Sequence, residues 1–334
     1  MIYWIILLAV FIFGVLPFIL LDRFSAKQFN RRMDNPYRLE PKDFGLEYQE
    51  IYFKNLDGKN LKGYKYYKKG GEPKALILLT PGFKNNHNHY LPEIEYFASR
   101  GYLVFAFDST AVGRSEGDRV KGLLQIPLDA CAALEHIKQD AELNRYPLLL
   151  WGYSNGAYAT LGLINDQKVA AAASLSAFND LNMMTADYAV SNFGKIAKLL
   201  YPYCVVYNRL KYGKNPFGKA VDNIKKSDKP LFLAHGAADE VVPYKNFLRI
   251  KKYNAHPLSV NISIDDRGHW IRYTARVNNL RNKLREKLDN APLERKADLR
   301  KYYYFVARNI DFELVEKTAD FFDNVIQNII AYRA

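Results

Sequence analysis

The feature that most constrains this chain is the stretch 146–164, which reads YPLLLWGYSNGAYATLGLI. It opens as a short apolar run, residues 147–151, with the length and bulk of a buried strand. It turns through Gly152, Tyr153, Ser154, Asn155 and Gly156, then leaves as a small, alanine-rich segment that reads as a helix packed closely on a sheet. In a sharp strand-to-helix turn the backbones two residues before and after the serine approach each other, so glycine suits both 152 and 156 on steric grounds. Such a turn lifts the Ser154 hydroxyl to the carboxyl edge of the sheet and aims the first amide of the helix at the space in front of it.

The rest of the chain supplies a setting for that turn. Residues 50–54 and 61–67, joined through Asp57-Gly58, predict an antiparallel pair. Residues 75–80 predict a buried strand ending in Pro81-Gly82-Phe83. Residues 91–100 predict a helix with Pro92 in its first turn and Gly101 as its stop. Further strands are expected at 102–107, 169–175, 230–234 and 258–264, with helices at 123–139 and near 244–253. This alternation calls for an α/β fold, a mostly parallel central sheet with helices on both faces. A chain of 334 residues can form one large core, residues 48–177 and 229–334, carrying an insertion at 178–228. The insertion is too long for a bare loop. It is rich in Tyr, Phe, Leu and Lys (Tyr188, Leu199, Tyr203, Phe217), so a helical cap over the edge that carries Ser154 is expected.

Residues 2–21 form an uncharged apolar run, which as a helix spans about 30 Å, the thickness of a bilayer's hydrocarbon core. No basic residue precedes it, whereas Arg23, Lys27, Arg31 and Arg32 follow. The expectation is a retained transmembrane anchor over 1–21, a juxtamembrane linker over 22–47, and a body on the cytoplasmic side. The formal charge of +13 favours anionic surroundings. Without zinc-ligand spacing, an RNA-binding signature or a phosphate-cradling glycine loop, a membrane surface is the expected partner rather than nucleic acid. Lys195, Lys198, Lys211 and Lys214, with Arg272, Arg276, Arg281, Lys283, Arg285 and Lys287, read as solvated faces or, more sharply, as contacts to anionic lipid. Two apolar stripes, one from Tyr273 to Leu288 and one from Phe312 to Ile329, predict C-terminal helices, with Asp311 placed to cap the second. The two cysteines, Cys131 and Cys204, read as small buried apolar residues.

A serine hydroxyl becomes a useful nucleophile when an imidazole takes its proton and an acid orients that imidazole. The chain has six histidines. His136 lies mid-helix, and His256 precedes a proline at a strand start. His87 and His89 sit in the polar loop 84–90 and read as solvated, and His235, just before Gly236, reads as a structural residue at a turn. His269 remains, in a loop beyond the last apolar strand and facing the same sheet edge as the elbow. The acid is expected from the preceding strand end, 235–243, which offers Asp239; Glu240 is the neighbour to exclude, and Asp265 and Asp266 are rivals.

The chain order Ser154, Asp239, His269 resembles that of the α/β-hydrolase superfamily. The resemblance covers about residues 48–270 and rests on the elbow 152–156, the turn 108–115, the segment 235–243 and Gly268-His269. It is nearest to membrane-anchored serine hydrolases and to serine-aminopeptidase-like esterases and lipases. It implies the α/β-hydrolase fold, a Ser154–Asp239–His269 triad, and an oxyanion hole made by the backbone amides of Phe83 and Asn155. It also implies structural roles for Asp108 and Ser115. At the first strand end many relatives have His-Gly where this chain has Pro81-Gly82. The activity implied is cleavage of carboxylic ester, thioester or lipid acyl bonds through an acyl-enzyme, with no metal or organic cofactor. The alternatives are an aminopeptidase-like serine peptidase and a non-catalytic membrane-anchored scaffold.

Overall fold

A computed structural model describes residues 1–33 and 39–333, with the side chains of 191–193, 195 and 333 left aside. The chain begins as a helical rod: α1 (Ile2–Val10), a π-helical turn over Phe11–Val15, and α2 (Leu16–Phe29). The body then alternates β1 (Glu47–Lys54), β2 (Asn60–Tyr67), β3 (Ala75–Thr80), α3 (Leu91–Ser99), β4 (Tyr102–Phe107), α4 (Gln125–Gln139), β5 (Leu148–Tyr153), α5 (Asn155–Leu163) and β6 (Val169–Leu175). Then come α6 (Leu181–Phe193), α7 (Tyr201–Tyr212), α8 (Ala220–Lys226), β7 (Leu231–Gly236), α9 (Lys245–Lys251), β8 (Val260–Ile264), α10 (Ala275–Asn290), α11 (Leu293–Ala307) and α12 (Phe312–Arg333).

The strands form one sheet in the order β1-β2-β4-β3-β5-β6-β7-β8. β1 and β2 pair antiparallel, as do β2 and β4; every pairing from β4 to β8 is parallel. All residues of β3, β4, β5 and β7 are buried, which is why these strands read as unbroken apolar runs rather than alternating ones. Their side chains divide between two cores. Leu76 and Leu78 of β3 meet α4, α5, α8 and α9 on one face, while Ile77 and Leu79 meet α3 and α12 on the other. β1 is largely exposed at the sheet edge, where its charged Glu47, Glu50 and Lys54 keep it soluble. Because the central strands are parallel, the carboxyl ends of β3, β5, β7 and β8 open on one edge.

The structure departs from sequence expectation at both ends. The helix does not stop where the apolar run meets charge at Asp22 but continues to Phe29, within the stretch expected as a linker. Pro17, Leu21 and Ser25, one turn apart, bury against the body, and α7 supplies the opposing face with Cys204 and Tyr207. Asp22 is held by Lys211 and by the Tyr207 hydroxyl, which donates to it at 2.9 Å. Ser25 is hydrogen-bonded to Tyr212, and Tyr203 donates to the Phe13 carbonyl at 2.6 Å. Within the expected linker, residues 34–38 lie outside the described residues, and Arg32 donates to the carbonyls of Ser115 and Gly117 at 2.8 and 3.1 Å. Residues 1–15 are exposed throughout. By length and composition Ile2–Phe29 is able to cross a membrane.

At the other end, α11 lies between the two striped helices where no helix was expected. Leu293, Tyr302 and Phe305 on it are exposed while Val306 and Ala307 are buried, so it shows no stripe for periodicity to reveal. On α10, Arg281 is buried and Leu280 is exposed, the reverse of the striped reading. The capping role of Asp311 is present, its carboxylate accepting the Leu314 amide at 3.2 Å. Cys204 is buried and Cys131 only half-buried.

Candidate active site

The elbow after β5 has the geometry that its glycines suggest. Ser154 has φ 56° and ψ −116°, a backbone conformation that side chains other than glycine rarely adopt. A Cβ on Gly152 would lie 2.3 Å from the Gly156 carbonyl oxygen, and one on Gly156 would lie 2.1 Å from that of Thr80. Both positions are therefore closed to any side chain, and β5 can turn tightly against β3. The Ser154 amide donates to the Leu175 carbonyl at 2.8 Å, anchoring the turn to β6. Asn155 opens α5, so its amide belongs to the first turn, which has no acceptor within the helix.

The loop beyond β8 brings His269 to this serine. Its Nε2 lies 3.0 Å from Ser154 Oγ, and its Nδ1 lies 2.8 Å from Asp239 Oδ2. The His269 carbonyl accepts from the Tyr153 hydroxyl at 2.7 Å and from Ser176 Oγ at 3.2 Å, so the elbow's own strand and the residue just past β6 position the loop. Asp239, in the turn after β7, accepts the amides of Val241 and Val242 on Oδ1 at 2.9 and 2.7 Å. His235 Nε2 lies 3.3 Å from Oδ2 and 2.9 Å from the Val242 carbonyl. Burial disfavours the Asp239 carboxylate, but hydrogen bonds from His235 and His269 outweigh it and hold its pKa down at about 2. Asp239 is thus a fixed negative charge beside the His269 imidazole.

Ser154, Asp239 and His269 are therefore brought together. Glu240, Asp265 and Asp266 are exposed, and Asp266 pairs with Arg267. Phe83 and Asn155 line the same cavity as Ser154. Two histidines read as solvated are not. His87 is buried, with Nδ1 2.7 Å from Asp108 Oδ1 and its ring centroid 3.7 Å from that of Tyr64. His89 is half-buried in the short 3-10 helix His87–Tyr90, and burial, then Arg272 and Arg281, hold its pKa down at about 3. A polar loop sequence could not show that Asp108, just past β4, reaches across to fold His87 inward. Asp108 also accepts the Arg114 amide at 3.1 Å, and Ser115 Oγ accepts the Lys62 amide at 2.8 Å and donates to the Asp108 carbonyl at 2.5 Å, so this pair pins the neighbouring loop. His136 stacks on Phe53, and His256 accepts the Leu258 amide.

Three residues escaped sequence reasoning. His235 is more than a turn residue, since it touches Asp239. Arg272, grouped there with solvated or lipid-facing cations, is buried: its guanidinium grips Glu93 of α3, donates to the His89 carbonyl at 2.6 Å and lies 4.1 Å from the Tyr90 ring centroid. It fastens the segment after His269 to the opposite wall. Arg281 is likewise buried, 3.9 Å from the Tyr273 ring centroid.

Two spaces meet at Ser154. A cavity of ≈ 150 Å³ runs between Leu21, Phe24 and Phe29 of the N-terminal helix and Phe178, Leu181 and Met184 of the insertion. A more open cleft of ≈ 640 Å³ lies on the side of His269 and Trp270, with α10 and α11 as its outer wall. Phe83, Lys84, Ser154, Tyr188 and Val241 line both.

Residues 71–214 match the family described as serine aminopeptidase, S33. An uncharacterized protein, YfhR, from Salmonella typhi is 24% identical over 238 residues, covering 70% of this chain and 78% of the relative. The thiohydrolase apmlB of Arthrinium phaeospermum is 30% identical over 117 residues, 34% of this chain and 37% of that protein. Among solved structures, an esterase of Pyrococcus furiosus superposes with a TM-score of 0.57 at 21% identity, over 77% of this chain and 95% of the esterase. The superposition shows that the chain has the α/β-hydrolase fold, and its residues 71–214 are similar to the serine-aminopeptidase-like branch of that superfamily.

Proposed function

We propose that the chain is a serine hydrolase that cleaves carboxylic ester or thioester bonds of small, lipid-like acyl substrates. The observation that carries this reading is the unbroken line from Ser154 Oγ through His269 to Asp239, at 3.0 and 2.8 Å. Ser154 Oγ attacks the carbonyl carbon as His269 Nε2 takes its proton. Asp239 holds the other ring nitrogen and stabilises the imidazolium. The amides of Phe83 and Asn155 receive the charge that develops on the carbonyl oxygen, each such donor being worth about a hundred- to a thousand-fold in rate. His269 returns the proton to the departing alcohol or thiol, and water then releases the acid from Ser154 by the same steps.

The lining of the ≈ 150 Å³ cavity favours an acyl chain over a peptide amino terminus. It is lined mainly by aliphatic and aromatic side chains, and among the described residues no Asp or Glu lines it. An aminopeptidase has to hold a substrate ammonium on the acyl side of the scissile bond, and a buried ammonium needs an anionic partner.

The exposed apolar rod at residues 1–15 supports a seat in a membrane, as do Ile196, Leu199 and Leu210, which are 74%, 71% and 78% exposed on the segment beside α2. Arg23, Lys27, Arg31 and Arg32, all past the apolar run, favour a body on the cytoplasmic side.

Hydrolysis of a p-nitrophenyl ester series of increasing chain length tests the reading. Ser154→Ala is expected to lower kcat by at least about 10⁴-fold, and Asp239→Asn by about 10⁴-fold. A Ser154→Ala chain as active as the wild type removes the nucleophile and the proposal with it.

A further inference from the structure

The cleft on the far side of Ser154 from the apolar cavity is built for negative charge. Among the described residues, Lys84, Arg281, Arg285, Lys296 and Arg300 line it against a single carboxylate, Asp289. Among the described residues no ion pair holds any of the five cations. Elsewhere the chain pairs its inward cations: Lys62 with Glu50, Lys74 with Asp323, Arg272 with Glu93.

Arg281 makes the contrast sharpest. It is 9% exposed, and its guanidinium rests on the rings of Tyr273, Trp270 and Tyr303. It donates to the Tyr303 hydroxyl at 2.9 Å and to Asn278 at 3.4 Å, while its buried Nε has no hydrogen-bond partner. A guanidinium held this deep without an anion carries an uncompensated desolvation cost. Lys84 stands on the shared wall of cleft and cavity in a left-handed conformation, φ 67°, its ammonium 3.1 Å from Gln28 Oε1. Burial first, then the nearby charges of Arg31 and Arg285, lower its pKa, as expected where cations crowd together with no anion between them.

Apolar cavity and cationic cleft share the nucleophile, so they divide a substrate at its scissile bond. We infer that the substrate is an acyl ester or thioester whose leaving group carries phosphate, with the acyl chain between α2 and the insertion and the phosphate among Lys84, Arg285 and Arg300. The inference rests on the serine-hydrolase reading above. Phosphate is favoured over a lone carboxylate because several cations converge, and guanidinium forks match phosphate oxygens in pairs. In the reaction the carbonyl C–O or C–S bond breaks, the acyl group passes to Ser154 Oγ, and the phosphate-bearing alcohol or thiol leaves with the proton from His269. Either a lysophospholipid headgroup or a coenzyme A thioester has this chemistry.

The test compares kcat/KM of the full chain, in one detergent micelle, for three oleoyl substrates: 1-oleoylglycerol, 1-oleoylglycerol 3-phosphate and oleoyl coenzyme A. At least one phosphate-bearing substrate is expected to exceed the neutral glyceride by about tenfold or more, the scale of a charge-assisted hydrogen bond. In the Arg285→Ser/Arg300→Ser chain that ratio should fall towards one. A preference confined to the glycerol phosphate identifies a lipid headgroup; one confined to the thioester identifies a coenzyme A carrier. A wild-type chain that turns over 1-oleoylglycerol as well as or better than both phosphate substrates overturns the inference and leaves the hydrolase reading standing. A chain inactive on all three and on p-nitrophenyl esters overturns both.

Discussion

Asp239 is buried and yet ionised, and it owes this to two imidazoles and two backbone amides. Its folded pKa of about 2 lies below the ordinary 3.8, so folding favours the charged form. The stability it contributes is fully present above 3.8 and is lost as pH falls towards about 2. His235→Phe keeps a ring in the site but removes the hydrogen bonds to Asp239 and to the Val242 carbonyl. It is expected to cost about 1–3 kcal/mol in urea unfolding at neutral pH and to raise the acid-unfolding midpoint. An unchanged midpoint would mean that His235 does not support the acid. This contact marks the limit of what a linear reading of residues can reach. The elbow was legible because two glycines flank a serine between a strand and a helix. His269 was legible by elimination, as the histidine just past the last strand. The bond between His235 and Asp239 was not, since only the turn 237–243 folding back on itself creates it. His87 was misread for the same reason: its partner, Asp108, lies in a different segment, just past β4.

At the scale of elements, the N-terminal helix does two jobs along its length. Residues 1–15 are exposed, whereas Leu21, Phe24, Ser25, Gln28 and Phe29 line the cavity at Ser154. That it is long and apolar enough to cross a membrane was plain from an uncharged run. Its continuation to Phe29 was not, because Asp22 ends the run in sequence while Lys211 and Tyr207 pair it in space. α11 was hidden by the lack of any stripe, and with α10 it makes the outer wall of the cleft. A chain beginning at residue 16 should keep the wild-type preference among ester chain lengths, and one beginning at residue 30 should lose it, because the cavity then opens to solvent. While the wall is present each further methylene buried adds about 0.8 kcal/mol, roughly fourfold in kcat/KM. Identical chain-length profiles for the two truncations would show that α2 does not bound the acyl site.

Taken whole, the molecule gathers residues from four distant stretches at one edge of a parallel sheet, as the carboxyl ends of β3, β5, β7 and β8 dictate. The apolar rod and the exposed Ile196, Leu199 and Leu210 put that edge beside a bilayer in the proposed setting, where a lipid-like acyl chain is at hand. Protease treatment of sealed vesicles should digest a C-terminal tag only from the cytoplasmic face; digestion from the opposite face alone would reverse the topology. The central claim is that Ser154, paired with His269, is the nucleophile, and reaction with a fluorophosphonate probe tests it most directly. The wild-type chain should take up one phosphonyl group on the peptide containing Ser154, and Ser154→Ala should take up none. A wild-type chain that never reacts, or a Ser154→Ala chain that is still labelled, would contradict it.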